Sequence, residues 1–221
     1  MYRQQAYFVT GTDTEVGKTF ATCALLCLAS AQGLRALGMK PVAAGVDGNG
    51  RNEDVEQLIA ASSIKAPRAL VNPYCFEAPV APHIAAAIEG RSIDTNRIAA
   101  AARDLAADAD LLLVEGVGGF LVPLGDDVDT ADLAERLGLP VILVVGLRLG
   151  CLNHALLTAE AIRSRGLKLA GWIANGIDPD LPWPEENITA LKERIAAPLL
   201  GFLPWQDDAD PMLAAQHLSL P

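Results

Sequence analysis

Residues 11–19 read Gly-Thr-Asp-Thr-Glu-Val-Gly-Lys-Thr and follow a short apolar run. A loop with glycines at its tight points can turn its backbone N–H groups toward an anion. A helix that opens at its end adds further donors and a favourable dipole. Lys18 then reaches the outer phosphates as a point charge, and the Thr19 hydroxyl is placed for a magnesium ion. The chemistry implied is the binding of a nucleoside triphosphate. The usual pattern, G-x-x-x-x-G-K-[ST], has a glycine where this chain has Thr12; here the glycine is one residue earlier, at Gly11.

Three more charged residues belong with this loop or beside it. Glu115 ends an apolar run and is followed by Gly116-Val117-Gly118-Gly119. An acid there can hold magnesium directly or through water, and the glycines let backbone approach a ligand closely; an acid capping a turn is the alternative. Lys40 precedes Pro41 at the end of a second apolar segment. It either meets a second anion or snorkels at the surface. Asp54, in the polar stretch 51–54, reads as a solvated acid at a helix N-terminus.

The elements that must position these groups alternate. Strands are expected at 6–10, 34–40, 111–115, 141–146, 169–175 and 199–203. Helices are expected at 18–31, 53–61, 95–107, 129–137, 151–165 and 185–196, and the proline-rich stretch 72–82 is expected to be irregular. Alternation of this kind implies right-handed crossovers and an α/β fold: a doubly wound, mostly parallel sheet with helices on both faces. Ligands of such sheets bind beyond the carboxyl ends of the strands. Residues 11–19, Lys40, 115–119, 146–153, Asn175 and 204–205 all lie just after expected strands, which predicts one shared site.

Composition limits the partners. The chain has 221 residues, within the range of one domain, so a single domain over 1–221 is expected. Hydrophobic residues make up 51% and aromatics only 5%, which suits a buried aliphatic sheet. The formal net charge of −10 argues against nucleic acid. Residues 1–10 carry one Arg and no long apolar run, so neither a signal peptide nor a membrane span is expected. Cys23, Cys27, Cys75 and Cys151 form no C-x-x-C pair and read as reduced thiols of a cytoplasmic protein. The histidines lack the spacing of a zinc site.

The motifs taken together resemble a known family. Residues 11–19 read GTDTEVGKT, 40–42 KPV and 115–119 EGVGG; 72–74 read NPY, 81–83 APH, 149–155 LGCLNHA, 170–175 AGWIAN and 204–205 PW. These resemble the dethiobiotin synthetases, ATP-dependent enzymes that close the ureido ring in biotin synthesis, and the likeness runs from about Tyr7 to Trp205. It implies 7,8-diaminopelargonic acid, CO2 and ATP as substrates, and Mg2+ as the metal. It assigns catalysis to Lys40 and Lys18, with Lys40 neutralising a carbamate and the transferring phosphoryl group. Nucleotide contacts fall to Thr14, Glu15, Val16, Gly17, Lys18, Thr19, Phe20, Asp54, Glu115, Gly116, Val117 and Gly118. Asn175 would read the adenine, with Gly176, Pro204, Trp205 and Gln206 closing the base pocket. Thr19, Asp54 and Glu115 would hold the metal. Substrate contacts fall to Thr14, Lys40, Ala44 and Gly118. In a homodimer, the other subunit's Gly150, Cys151, Leu152 and Asn153 would bind the substrate carboxylate.

The chain departs from the family in one informative place. Ala44 stands where the family usually has serine, so a hydroxyl near the substrate is missing. The loop 46–52 is also short, and 207–211 offers no clear nucleotide contact. Two other classes compete. Cobyrinic-acid-type synthases carry an added glutaminase domain, for which this chain is too short. Partitioning-type switch ATPases carry an extra lysine early in the loop, where this chain has Asp13, Thr14 and Glu15.

Overall fold

A strand that is apolar on both faces needs cover on both, which is the usual condition of a parallel sheet. The computed structural model, which describes residues 5–221, has this arrangement. Its strands are β1 (Gln5–Gly11), β2 (Ala36–Met39), β3 (Val42–Ala44), β4 (Tyr74–Phe76), β5 (Leu111–Glu115), β6 (Val141–Leu147), β7 (Leu169–Gly176) and β8 (Leu199–Leu203). Its helices are α1 (Lys18–Ala31), α2 (Glu53–Ala61), α3 (Arg68–Val71), α4 (Pro82–Ile88), α5 (Thr95–Asp108), α6 (Thr130–Leu137), α7 (Cys151–Ser164), α8 (Pro184–Lys192) and α9 (Pro211–Ala214).

Six strands form one sheet in the order β2-β5-β1-β6-β7-β8, and every pairing is parallel. The chain leaves β1 toward one edge and later crosses to the other, so β1 is the switch point of a doubly wound sheet, and the loop 11–19 extends from it. Side chains alternate between faces. Leu112 and Val114 join one core with Phe8 and Ile98. Leu111 and Leu113 join the other with Val9, Leu25 and Leu26. Further along the sheet, Leu143, Val145 and Trp172 pack with Ile188 and Leu191 of α8.

Most expected elements occur within a residue or two of their bounds, and the differences have local causes. The stretch 72–82 is not wholly irregular: β4 lies in it and pairs in parallel with β3. Three-residue strands are too short to show alternation in sequence. Pro82 opens α4 at its first position, where a missing N–H does no harm. Helix α8 stops at Lys192, short of residue 196. Helices α3, α4 and α9 were not expected, and each has seven residues or fewer.

Helix α6 shows how the sheet-end connections are held. Asp129 accepts from the Asp132 N–H and Asp132 accepts from the Asp129 N–H, a reciprocal capping box. Arg165, just beyond α7, adds contacts to Asp132 at 2.7 Å, Glu135 at 3.1 Å and Asp129 at 3.3 Å. The Asp129 N–H and then Arg165 hold the Asp132 carboxyl below its ordinary value. Its stabilisation is therefore present above the unfolded pKa of about 3.9 and is lost as pH falls through the folded value. Asp129→Ala is expected to cost about 1 kcal/mol in urea unfolding. The melting-temperature gap between wild type and Asp132→Asn should be full at about pH 6 and close toward about pH 3.

Candidate active site

The loop after β1 is set by close contacts. A Cβ on Gly11 would lie 2.6 Å from Val16 Cγ2 and 2.9 Å from Lys18 Cγ, so the glycine displaced from position 12 makes room for the loop's own side chains. Gly17 has φ +78°, and a side chain there would strike the Asn175 amide. Glu15 also adopts positive φ, 58°. Asn175 Nδ2 donates to Val16 O at 2.9 Å, and Arg148 donates to Asp13 Oδ2 at 2.6 Å, tying the loop to the ends of β7 and β6. Lys18 Nζ donates to Asp13 O at 2.8 Å.

Lys40 is buried at the end of β2. Its N–H donates to Val71 O, and its carbonyl accepts from Asn72 Nδ2 at 2.6 Å. Its ammonium lies 2.6 Å from Glu115 Oε1 and 2.8 Å from Asp54 Oδ2. The side chains of Lys40 and Glu115 are 4% and 0% exposed, and that of Asp54 is 43% exposed. Thr19 Oγ1 donates to the same Glu115 oxygen at 2.7 Å. Lys18, Lys40 and Glu115 thus share one place. Burial opposes the Lys40 charge, but Glu115 and Asp54 overcome it and hold the pKa above that of an ordinary lysine. Burial, together with the nearby Lys40, brings Lys18 down to about 8. Asp54 is held low: burial opposes this, and Lys40 prevails with help from Thr19.

A cleft of about 760 Å³ opens over these groups. Its lining includes Thr14, Glu15, Gly17, Lys18, Thr19, Lys40, Ala44, Asp54, Val117 and Gly118. Gly118 has φ +62°, and a Cβ there would come within 2.9 Å of Val122. Gly116 stands where a Cβ would press on Phe8 and donates its N–H to Val9 O. Val16 is buried and Phe20 partly buried against the core.

The remaining expected residues lie elsewhere. Gly176 and Trp205 line a second cleft of about 240 Å³, beyond the ends of β7 and β8. Asn175, which precedes Gly176, does not line it, and its amide nitrogen is engaged by the loop. Pro204 and Gln206 flank Trp205 without lining that cleft. Gly150, Cys151, Leu152 and Asn153 form the start of α7 and do not line the 760 Å³ cleft.

Sequence reasoning did not single out Asn52, Val122, Pro79 or Val80, all of which line the cleft; Ala81 and Pro82, which complete the same apolar wall, entered only as part of the 81–83 motif, with no role given. Asn52 caps α2 through Val55 N and donates to Gly45 O at 2.8 Å. An Asn directly before an acidic helix start was the available signal for that cap. No local pattern marks the apolar wall, which long-range folding brings over the loop.

The donor set fits a hard divalent ion. Glu115 Oε2 is buried with no hydrogen-bond partner among the described residues, and Thr19 and Asp54 converge on the same carboxylate's surroundings. No group of three or more His, Cys, Asp or Glu side chains arranged for a metal occurs among the described residues. Magnesium needs fewer protein ligands than that when phosphate oxygens and water complete its shell.

Strand, glycine-bearing loop, buried lysine and opening helix define a P-loop nucleotide-binding protein, and a family model described as an AAA domain matches residues 5–212. Along its whole length the chain is 60% identical, over 224 residues, to the ATP-dependent dethiobiotin synthetase BioD of Aromatoleum aromaticum, covering 100% of both sequences. The chain belongs to the dethiobiotin synthetase family. Solved structures share the fold at low identity. One is the MinC:MinD cell division protein complex of Aquifex aeolicus, with TM-score 0.60, 15% identity, and 96% and 92% of the two chains covered. Another is a ParA family ATPase from Chlorobium tepidum TLS, with TM-score 0.57, 16% identity, and 98% and 91% covered.

Replacing one member of a buried ion pair leaves the other uncompensated. Lys40→Met is expected to cost about 3–5 kcal/mol in urea unfolding. Adding Glu115→Gln to the same chain should recover most of that loss.

Proposed function

We propose that this chain is an ATP-dependent dethiobiotin synthetase, a ligase that uses 7,8-diaminopelargonic acid, CO2 and ATP. The reading rests on full-length likeness to the curated relative and on one observation. Two lysines, Lys18 and Lys40, face the same cleft closely enough to perturb each other. Two buried cations on one wall suit two anionic reactants.

The chemistry follows from that charge arrangement. CO2 adds to one amine of the substrate and gives a carbamate. A carbamate oxygen attacks the γ-phosphorus, the bond to ADP breaks, and a carbamic–phosphoric anhydride forms. The second amine then attacks the anhydride carbonyl, inorganic phosphate leaves, and the cyclic urea closes. Carbamate and triphosphate repel each other, so positioning and fixed positive charge carry most of the catalysis. Lys18 and the loop N–H groups hold the phosphates. Lys40 lines the same cleft as the loop, where it would offset the carbamate charge. Thr19, Asp54 and Glu115 would hold Mg2+, which supplies charge neutralisation at the phosphates. Thr14 and Thr19 are the hydroxyl side chains lining the cleft, so with Ala44 in place of serine, Thr14 is left to contact the substrate.

A homodimer fits the surface. Leu149 is 94% exposed and Leu121 58% exposed, on the loops beside the start of α7 and the cleft. The partner's α7 start would then meet the substrate carboxylate. One P-loop domain carries the rest of the reaction. None of the helices is long and apolar enough to cross a membrane among the described residues. The four free cysteines support a cytoplasmic setting.

Incubation with ATP, magnesium, bicarbonate and the diamine should yield ADP, phosphate and dethiobiotin in equal amounts by mass spectrometry. ATP hydrolysis at the same rate without the diamine would refute the reading. Lys40→Gln should lower turnover by about 100-fold or more while nucleotide still binds. Leu149→Glu should shift the sedimentation of a dimer toward monomer; an unchanged profile removes that surface from the interface.

A further inference from the structure

The second cleft contains a group that no family resemblance assigned. Among the described residues lining it, Asp178 is the one that carries a charge; the rest are apolar or aromatic residues and Gly176. Gly176, which lines it, directly follows Asn175, whose amide donates to Val16 O of the phosphate loop. Trp205 and Phe202 give it flat apolar surface. A side chain on Gly176 would come within 2.8 Å of Trp205 N, so the two backbones close tightly at its base. These features suit a planar base attached to phosphates held at the loop.

Asp178 is also fixed in place. Its Oδ1 accepts from the Asp180 N–H at 3.0 Å, and its Oδ2 has no hydrogen-bond partner among the described residues. An ionised carboxylate only accepts, and it can accept two parallel hydrogen bonds. The pairing edge of guanine presents two adjacent donors, N1–H and the N2 amino group. Adenine presents one donor, the N6 amino group, beside the N1 lone pair, which a carboxylate repels. A fixed acid in a base cleft therefore favours guanine.

We infer that Asp178 is a base-specificity residue and that this site accepts guanine nucleotides as well as adenine nucleotides. The inference rests on the nucleotide-site reading above and deepens it. A site built to hydrogen-bond a given edge discriminates against analogues that leave its polar group unpaired.

The test is displacement of a fluorescent methylanthraniloyl-ADP from the magnesium-loaded full-length protein by ADP, GDP and IDP. GDP is expected to bind within about tenfold of ADP, and IDP, which lacks the N2 amino group, about tenfold more weakly than GDP. Asp178→Asn keeps an acceptor for the Asp180 N–H and replaces the free oxygen with a donor. In that variant the GDP-to-ADP affinity ratio should fall by about tenfold, and the gap between GDP and IDP should close. A general structural defect would weaken all three nucleotides together. GDP binding more than about tenfold weaker than ADP in the wild type, or ratios unmoved by the substitution, overturns the inference. The wild-type comparison of GDP with IDP decides the matter even if the variant folds poorly. Loss of diamine-dependent turnover with ATP would instead sink the synthetase reading, and the displacement series would still judge Asp178.

Discussion

The Lys40–Glu115 contact ties the fold to the chemistry. Glu115 ends β5, Lys40 follows β2, and those two strands are neighbours in the sheet. The ammonium and carboxylate meet at 2.6 Å, and both side chains are almost wholly shielded from water. An isolated charge in that position would be costly, so each residue requires the other. Thr19 and Asp54 attach to the same pair, which fixes the first turn of α1 and the start of α2 against the strand ends. The sheet order thus becomes a charge constellation: where β2 and β5 lie determines where a positive group faces the phosphate loop.

Much of this was legible in the sequence where the signal is local. The loop 11–19 could be read because its parts are consecutive and stand between an apolar strand and a helix. Strands β5 and β6 could be read because parallel-sheet interiors leave unbroken apolar runs. Lys40 had two readings, surface snorkel or anion contact, because the choice depends on burial by Val71, Glu115 and Asp54, which are distant in sequence. Asp54 read as a solvated acid for the same reason. Its partner lies fourteen residues away in sequence, on another element. The β3–β4 pair and the place of Pro79 and Val80 over the cleft were illegible, being short pieces whose structure comes from what they pack on.

Asn175 carries a different lesson. The family resemblance gave it a base contact, and in the structure its amide nitrogen braces the loop carbonyl of Val16. The same side chain occupies the space that a residue larger than glycine would need at position 17. One amide therefore accounts for the glycine before Lys18 and ties the end of β7 to the loop. Asp178, three residues on, carries no local signal, because only the fold brings it into one cleft with Trp205 and Phe202.

The strand order also has a consequence for synthesis on the ribosome. β1 is made first, but its two neighbours are β5 and β6, so it has no strand to pair with until residue 111 has been translated. At roughly 5–20 residues per second that wait lasts on the order of 5–20 s. During it, Phe8 and Val9 lack the cover they have in the finished core, a period in which chaperones or neighbouring nascent chains can capture the segment. The loop after β1 likewise gains its Arg148 and Asn175 braces only once β6 and β7 have been made.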